Sequence, residues 1–169
     1  YGLKSVIFRY FNAAGADPSS DIGEDHTPET HLIPLIFDVI SGKKEILEVY
    51  GDNYPTEDGT CIRDYIHVND LADAHILGLK FLLNKPDLKE GFQPEIFNLG
   101  NGKGYSVMEV IEKVEHITGK KVNFQITRRR EGDPPILISS SQRAIDVLNW
   151  RPTFTKLDDI IKHAWDWHC

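Results

Sequence analysis

The chain has 169 residues, enough for a domain with a hydrophobic core of its own. Its formal net charge of −7 argues against nucleic acid or an anionic membrane as the main partner, and no apolar run approaches the length of a membrane span. The two cysteines, Cys61 and Cys169, do not suggest a disulfide framework, so we expect a protein of the reducing cytoplasm.

The first predicted strand, 5–11, is a nearly continuous apolar run, typical of parallel strands that are covered on both faces. Gly2 before it is typical of a helix end and no initiator Met is present, so we expect that an earlier part of the polypeptide is absent. The strand ends at Asn12. Ligands of open α/β sheets bind beyond the carboxyl ends of strands, so Asn12 is either a ligand contact or, on composition alone the commoner case, a turn former.

A largely apolar helix is predicted from Thr30, as its N-cap, to about residue 41, and Gly42 follows as its stop. His31 lies near the N-terminus of this helix, where it could help to bind an anion. A single His at such a position is more often a polar surface residue, so both interpretations stay open.

The next segment starts with a short predicted strand, 45–50, and continues through a polar loop to a second strand, 61–68. Asp70 is then expected to cap a helix that runs to about residue 83. The acidic residues in the loop at 52–58 do not have the spacing of a calcium-binding loop, so we predict no metal site there.

A polar connection, 84–94, leads to another strand that is expected to be buried, 95–99. The glycines of the next segment, 100–104, are spaced Gly-x-Gly-x-Gly, which matches neither the dinucleotide fingerprint nor the Walker loop. We therefore interpret this segment as a turn and not as a phosphate loop. Ser106 and Glu109 form a capping box for the helix that follows.

A strand predicted at 122–126 is followed by three consecutive arginines, Arg128 to Arg130. In a chain of net negative charge, this run is either a solvated charge cluster or an anion clamp, because guanidinium forks match pairs of phosphate oxygens. Its position in a loop between two elements favours the clamp.

Two more helices are predicted near the end of the chain. The first is capped by Ser139–Ser141, and the second is expected to begin with a capping box of Thr155 and Asp158. Strand and helix signals alternate throughout the chain, which predicts an α/β fold.

Several catalytic motifs do not occur in this sequence. It has no Gly-x-Gly-x-x-Gly fingerprint, no Tyr-x-x-x-Lys motif and no nucleophile elbow. It also has no His/Cys cluster with zinc spacing, so we predict no metal site. Arg63 and the arginine run at 128–130 are the cations most easily brought together on a diphosphate. With Asn12 and loop backbone, they would suit a nucleotide-sugar diphosphate. The residues alone therefore suggest ligand binding without a complete catalytic set.

Six segments, taken in chain order, carry a resemblance to a known family. They are Arg9-Tyr-Phe-Asn-Ala-Ala-Gly-Ala16, Gly23-Glu-Asp-His26, Glu29-Thr-His-Leu-Ile-Pro34, Tyr50 to Asp73, Asn98-Leu-Gly-Asn-Gly102 and Arg129-Arg-Glu-Gly-Asp-Pro134. Together they resemble the UDP-glucose 4-epimerases, which are extended short-chain dehydrogenase/reductases. The most specific part is Tyr-Pro-Thr-Glu-Asp-Gly-Thr with the following Arg-Asp-Tyr-Ile-His-Val, because related dehydratases and decarboxylases share Arg-Asp-x-x-x-Val but usually not the loop before it.

The resemblance implies the C-terminal part of such an enzyme, with the N-terminal NAD-binding half absent. Residues 1–15 and about 61–100 would be the last strands and helix of the Rossmann domain. Residues of about 16–60 and 101–169 would form the smaller mixed α/β domain that binds the UDP-sugar. The catalytic Tyr and Lys of the family would lie upstream, so no catalytic residue is expected in this chain.

The resemblance also implies roles for individual residues. Tyr10 and Phe11 would lie by the nicotinamide of NAD. The UDP-sugar would be bound by Asn12, Arg63 and Arg130 at the diphosphate, His31 and Leu32 at the nucleotide, Glu48, Val49 and Tyr50 in the uridine pocket, and Asp133 at the ribose.

In such an enzyme, a hydride passes from C4 of UDP-glucose or UDP-galactose to bound NAD and returns to the other face of the 4-keto sugar. The implied protein is a cytoplasmic isomerase of galactose metabolism and a homodimer when full length. The 169 residues alone are expected to lack activity and to leave apolar surface of their strands exposed to solvent. Two alternatives stay open, namely another nucleotide-sugar epimerase or dehydratase of the same family, and a truncated, non-catalytic UDP-sugar-binding module.

Overall fold

The computed structural model describes residues 4–84 and 94–169, and within them strands and helices alternate as predicted. The expected helix end at Gly2, and the connection between residues 84 and 94 except for its two ends, lie outside the described residues. The elements, in chain order, are β1 (Val6–Tyr10), β2 (Asn12–Ala14), α1 (Leu32–Ile40), β3 (Leu47–Tyr50), β4 (Ile62–His67), α2 (Val68–Leu83), β5 (Glu95–Leu99), β6 (Gly104–Ser106), α3 (Val107–Thr118), β7 (Phe124–Thr127), β8 (Ile136–Leu137), α4 (Gln142–Leu148) and α5 (Leu157–His168).

The described strands form three hydrogen-bonded groups in which most pairings are parallel. β1 pairs with β5 and β3 pairs with β7, both in parallel. β4 is the centre of the third group, since it pairs in parallel with β2 and β8 and antiparallel with β6. The predicted α/β class is therefore confirmed. β4 joins strands from both of the parts that the resemblance implies, and the expected division between those parts stays a prediction.

The buried apolar residues form two clusters. The first joins α1, α3 and α5 to β3, and Phe37 is its largest fully buried side chain. The second joins α2 and α4 to β4 and β5 around Phe97 and Trp150, whose indole N–H donates to the carbonyl of Asp70 at 2.9 Å. Across the described ranges, no helix combines the length and the apolar character that crossing a membrane requires.

The first strand is covered on only one face by the described residues. Ile7 is 43% exposed, and its register partner on β5, Ile96, is 40% exposed. Successive side chains of a strand point to opposite faces, and the face that carries Phe8 and Phe97 is the one that packs into the second cluster. The other face leaves apolar surface open, as these strands were expected to do.

The predicted N-caps of the first two helices are each displaced. α1 has His31, not Thr30, as its N-cap residue. α2 has His67, whose ring accepts a hydrogen bond from the backbone amide two residues later at 3.1 Å. Asp70 lies in the first turn of α2, where its buried carboxylate accepts hydrogen bonds from the amides of residues 153 and 154. The local pattern assigns Asp70 to the cap, but its carboxylate is used instead in a tertiary contact with residues 153 and 154.

α3 has the predicted capping box, in which Ser106 and Glu109 exchange hydrogen bonds with each other's backbone amides. α4 begins after Ser141, as predicted, but the hydroxyl of Ser141 does not cap the helix. It donates to the carbonyl of Gly100 and accepts from the amide of the same residue, both at 2.8 Å. Ser141 thus joins the start of α4 to the end of β5.

The capping box predicted for α5 is wrong. Lys156 is the N-cap residue, and it makes no side-chain capping hydrogen bond. Asp158 instead accepts two hydrogen bonds of 2.9 Å from Nζ of Lys113 on α3, so this carboxylate ties the two helices together. The apolar side chains of α5 are buried in the first cluster or pack against it: Leu157, Ile160, Ile161, Ala164 and Trp165.

The glycine-rich turn after β5 is built around a buried carboxylate. Asp64 of β4 is fully buried and accepts hydrogen bonds from the amides of Asn101 (2.9 Å), Gly102 (3.0 Å) and Ser139 (3.1 Å). Gly100 passes so close that a Cβ at this position would lie 2.5 Å from a carboxylate oxygen of Asp64. Three amides of the turn, those of Gly100, Asn101 and Gly102, are therefore used within the protein, which agrees with the prediction of a turn and not a phosphate loop.

His67, at the junction of β4 and α2, is a buried titratable group. Its Nε2 lies 3.0 Å from Nδ1 of His163 on α5. Burial, followed by the charge of His163, lowers the pKa of His67 to about 4, while the carboxylates of Asp17 and Asp159 act in the opposite direction. Because the ordinary pKa of His is 6.5, the unfolded chain binds more protons than the folded protein between these two values. The stability that neutral His67 contributes is therefore lost as the pH falls through this window.

We expect the free energy of unfolding to fall by on the order of 2–3 kcal/mol between about pH 6.5 and 4 because of His67. The measurement is urea denaturation at a series of pH values, for the unmodified protein and for a His67→Gln variant that cannot take up this proton. Asp17, whose pKa is lowered to about 2 by hydrogen bonds from Ser19 and Asn69, adds a loss of the same sign in both proteins at lower pH. Equal pH dependence of the two proteins between pH 6.5 and 4 would show that His67 is not the cause.

Candidate functional site

The parallel pairing of β3 with β7 brings two loops together at one edge of the sheet. Tyr50, at the end of β3, is in register with Thr127, at the end of β7. The amide of Gly51 donates to the carbonyl of Thr127 at 2.9 Å. The carboxyl ends of parallel strands lie at the same edge, so the loop at 51–61 and the arginine run at 128–130 are neighbours.

Two of the three arginines in this run stack on aromatic rings. The guanidinium carbon of Arg130 lies 3.9 Å from the centroid of the Tyr50 ring, and that of Arg129 lies 3.8 Å from the centroid of the Tyr54 ring. Such contacts hold the planar guanidinium in place while its N–H groups remain available to other partners. This ordered arrangement favours an anion clamp over a solvated charge cluster.

Arg63 of β4 is a third cation held at this place. Its side chain is 11% exposed, its Nη2 pairs with the carboxylate of Asp133, and its Nη1 donates to the carbonyl of Ile62 at 2.7 Å. The other oxygen of Asp133 accepts a hydrogen bond from the hydroxyl of Tyr54 at 3.2 Å. The parallel pairing of β8 with β4 explains why the segment after β7 lies beside Arg63.

We call this group the arginine cluster. It consists of Tyr50, Tyr54, Arg63, Arg129, Arg130 and Asp133. The arginine cluster thus contains three of the residues that the resemblance implies for the diphosphate and the ribose, Arg63, Arg130 and Asp133, and Arg63 pairs with Asp133. Asn12, which the resemblance also implies at the diphosphate, lies outside the cluster.

The three residues implied for the uridine pocket lie next to one another on β3 but point to different sides. Glu48 and Tyr50 share one face, where the Tyr50 hydroxyl donates to the Glu48 carboxylate at 2.8 Å. Val49 points the other way and is 1% exposed, within the first apolar cluster. The side chains of Glu48 and Tyr50 are therefore accessible to a ligand, whereas Val49 could offer only its backbone.

A cleft of about 420 Å³ lies between β2, the loop before α1 and the start of α2, and we call it the β2 cleft. A smaller cavity of about 40 Å³ shares several of its wall residues, including His31 and Glu24. Asn12, His31 and Leu32 all line this smaller cavity. The structure therefore places together three residues that the resemblance implies at the nucleotide and the diphosphate.

β4 connects the cavity beside the β2 cleft with the arginine cluster. Asn12 is in register with Tyr65 of β4, which also lines the cavity. Arg63 lies two residues earlier on the same strand, about 7 Å away along the chain. Tyr10, which is 50% exposed, and Phe11, which is partly buried, directly precede Asn12. The residues implied for the cofactor and the diphosphate therefore adjoin each other.

Sequence reasoning did not single out several residues of this region. Tyr54 holds both Arg129 and Asp133, and its position in a polar loop was the available signal. Glu24, His26 and Glu29 were not singled out either, and together with His31 they form a cluster whose potential metal-ligating atoms lie within 4.8 Å of one another. Their spacing matches no familiar metal motif, so the prediction of no metal site did not anticipate this grouping.

The chemistry available here is that of binding. Three guanidinium groups, a carboxylate, tyrosine hydroxyls and an amide side chain can recognise a phosphorylated, hydroxyl-rich ligand. Cys61, next to the cluster in sequence, is not an activated nucleophile, because burial raises the pKa of its thiol against the opposing charge of Arg63.

Comparisons with known proteins agree with this chemistry. The sequence profile of the NAD dependent epimerase/dehydratase family matches residues 1–100. Over 168 residues, the chain is 53% identical to the UDP-glucose 4-epimerase of Halalkalibacterium halodurans, with 99% of this chain and 48% of that protein covered. The chain spans about half the length of the relatives it matches.

Solved structures give the same result. A crystal structure of a UDP-glucose 4-epimerase matches with a TM-score of 0.89 and 51% identity, covering 98% of this chain and 49% of that one. The UDP-glucose 4-epimerase from Bifidobacterium longum, in complex with NAD+ and UDP, matches with a TM-score of 0.88 and 34% identity, covering 99% of this chain and 48% of that one.

Proposed function

Because the chain belongs to the NAD dependent epimerase/dehydratase family, we propose that it is the UDP-sugar-binding part of a UDP-glucose 4-epimerase. The complete enzyme would interconvert UDP-glucose and UDP-galactose through a 4-keto sugar and so serve galactose metabolism. The observation that carries the proposal is that β4, which pairs with the strand of Asn12, also carries Arg63, and that Arg63 belongs to the same cluster as Arg130. The Bifidobacterium longum relative, whose structure contains NAD+ and UDP, supports UDP as the recognised group.

The residues of the arginine cluster would hold the UDP end of the substrate. Arg63 and Arg130 supply guanidinium forks for the diphosphate oxygens, and Asn12 supplies an amide on the neighbouring strand. Glu48 and Tyr50, on the accessible face of β3, would contact the uridine, and Asp133 its ribose. Because the reacting atom is on the sugar, a firm grip on UDP contributes binding energy from a part of the substrate that does not react.

The described residues fit one end of the implied cofactor. Tyr10 and Phe11 present aromatic side chains at the end of β1, next to Asn12, and these would hold the nicotinamide ring. The sequence carries no dinucleotide fingerprint, so most of the NAD contacts would come from elsewhere in the polypeptide. When bound, NAD supplies the acceptor and donor of the hydride at C4 of the sugar.

Two other functions are compatible with the family. A sister enzyme would use the same grip on UDP and act on a UDP-N-acetylhexosamine, a UDP-pentose or a dehydratase substrate. A non-catalytic module would bind UDP-sugars through the arginine cluster and perform no chemistry. The sequence identity with UDP-glucose 4-epimerases, which extends over nearly the whole chain, favours the first proposal over the sister enzyme and the non-catalytic module.

We expect a polypeptide that joins these residues to the first half of the family fold to interconvert UDP-glucose and UDP-galactose. The 169 residues alone should give no turnover, because they lack the Tyr and Lys pair of the family. The measurement is chromatography of the UDP-sugars over time, with UDP-N-acetylglucosamine and a UDP-pentose as competing substrates.

The outcomes of this assay separate the three functions. A larger kcat/KM for another UDP-sugar than for UDP-glucose would favour the sister enzyme. UDP binding by the longer polypeptide without turnover of any substrate would favour the non-catalytic module. Turnover by the 169 residues alone, free of contaminating enzyme, would contradict the assignment of the catalytic pair to another part of the polypeptide. A cytoplasmic location and a homodimeric assembly belong to the same proposal, and light scattering tests the latter.

A further inference from the structure

We propose that Glu24, His26, Glu29 and His31 form a binding site for one first-row divalent cation, with Zn²⁺ as the reference ion. The four residues lie in the loop that leads into α1. One nitrogen or oxygen from each lies within 4.8 Å of the corresponding atoms of the others. The proposal rests on these four side chains and not on the proposed function.

The distances between the donor atoms are close to those of a coordinated ion. Nδ1 of His31 lies 2.6 Å from Oε1 of Glu24 and 2.9 Å from Oε1 of Glu29. Nδ1 of His26 lies 3.9 Å from the same oxygen of Glu29. Ligand atoms at about 2.0–2.2 Å from a tetrahedral zinc are roughly 3–4 Å apart, so small side-chain shifts would place all four around one ion.

The convergence of two carboxylates on one imidazole nitrogen favours a cation over a hydrogen. Nδ1 of His31 carries at most one hydrogen, and a single hydrogen bonds well to only one of the oxygens of Glu24 and Glu29. The carboxylates of Glu24 and Glu29, whose nearest candidate ligand atoms lie within 4.8 Å of each other, also repel each other. A divalent cation bonded to the nitrogen and to both oxygens would bind all three atoms at once and balance both negative charges.

The loop that carries these residues is held in place by the rest of the protein. The indole N–H of Trp167 on α5 donates to the carbonyl of Glu24 at 3.1 Å. Gly23 packs so tightly on the same ring that a Cβ would lie 2.2 Å from it. The Glu29 carboxylate accepts hydrogen bonds from the next two backbone amides, at 2.6 and 2.7 Å. The part of the loop that carries Glu24 and Glu29 is therefore held in place before an ion binds, which reduces the entropy lost on binding.

The donor set decides the class of cation. Two imidazole nitrogens and two carboxylate oxygens suit zinc and its first-row neighbours, whereas magnesium and calcium prefer oxygen ligands alone. Glu24 and His31 also line the β2 cleft, so a bound ion would fix two of its wall residues. The site is thus placed to set the shape of the cleft.

The test is titration of the tag-free, chelator-treated full chain with ZnCl₂ by isothermal titration calorimetry. We expect one Zn²⁺ per chain. The His26→Gln variant should bind at least about tenfold more weakly, because even the loss of an outer-shell partner commonly weakens metal binding tenfold or more. His26 is the preferred position, because it is outside the proposed UDP contacts and lines neither the β2 cleft nor its neighbouring cavity. Circular dichroism of each variant confirms that it is folded.

A matched control is His116→Gln, which removes an exposed imidazole on α3, outside the cluster. Its Zn²⁺ affinity should equal that of the unmodified chain. Co²⁺ provides a second readout, since its visible absorption should appear in the unmodified chain and in His116→Gln, and should change in His26→Gln. No saturable binding, or equal affinity of the unmodified chain and His26→Gln, would overturn the proposal. Because UDP binding is measured separately in metal-free buffer, failure here leaves the proposed function to its own test.

Discussion

We expect the Arg63→Ala variant of the complete enzyme to bind UDP more than tenfold more weakly than the unmodified enzyme. A charge-assisted hydrogen bond contributes about 1.5–3 kcal/mol, and a guanidinium fork can make two to a diphosphate. Arg63 is only 11% exposed, so its interaction with an anion is less screened by solvent than that of a surface arginine. The measurement is isothermal titration calorimetry with UDP, at fixed ionic strength and in metal-free buffer.

The contact between Arg63 and Asp133 affects how this experiment is designed. Removing Arg63 leaves the Asp133 carboxylate without its cation, and that carboxylate then repels the diphosphate. A double variant, Arg63→Ala with Asp133→Asn, separates this repulsion from the loss of hydrogen bonds. Arg63→Lys keeps the charge but loses the fork, so we expect an intermediate affinity.

Arg128→Ala is the matched control for the arginine cluster. Arg128 is exposed and belongs to the same run, but the cluster is built from the two arginines that follow it. We expect this variant to bind UDP within about twofold of the unmodified enzyme, as an exposed surface charge contributes little. Unchanged affinity of Arg63→Ala would remove Arg63 from the site, and equal losses in both variants would indicate a general effect of charge.

The elements of this fold were predictable because each has a strong local signal. The apolar run at the start of the chain predicts β1, and the box of Ser106 and Glu109 predicts the start of α3. Two of the caps that were wrong, at α2 and α5, share a physical cause. Asp70 and Asp158 are good cap residues by local pattern, but each has a partner from a distant segment that the pattern does not contain.

The candidate site was predictable as a set of residues but not as an arrangement. The resemblance implies roles for Arg63, Arg130 and Asp133 one at a time, and it says nothing about contacts between them. Their meeting depends on two strand pairings, β3 with β7 and β4 with β8, and each joins segments more than 70 residues apart. The stacking of Arg129 on Tyr54 follows from the same pairings and has no local signature.

Burial is the other property that the sequence did not supply. The resemblance implies Val49 beside the uridine, but the alternation of β3 turns its side chain into the core. The apolar pattern of β1 predicts cover on both faces, because a sequence shows which side chains are apolar and not whether another segment packs on them. Both differences arise from tertiary packing around correctly predicted strands.

β4 relates the binding residues to the stability of the fold. Arg63 and Asp64 are adjacent on this strand and therefore point to opposite faces. Arg63 faces the arginine cluster, and Asp64 faces the glycine-rich turn and the segment before α4. Substitution of the first residue should change ligand binding, and substitution of the second should change the stability of the whole protein.

We expect Asp64→Ala to lower the free energy of unfolding by about 3–5 kcal/mol, a large part of the 5–15 kcal/mol typical of a folded protein. The substitution leaves the amides of Asn101, Gly102 and Ser139, the last of which is buried, without their acceptor. Burial of Asp64 raises the pKa of its carboxyl, so part of the loss is offset because this group is costly to bury in its charged form. The measurement is urea denaturation at neutral pH.

Two further variants decide whether the carboxylate itself is responsible. Asp64→Asn keeps one acceptor oxygen but turns an amide group toward a backbone N–H, so we expect a loss between zero and that of Asp64→Ala. Asp73→Ala removes an exposed carboxylate from α2 and should change the stability by less than about 0.5 kcal/mol. If Asp64→Ala were no less stable than Asp73→Ala, the turn would not depend on this buried carboxylate, and water would have to satisfy its amides instead.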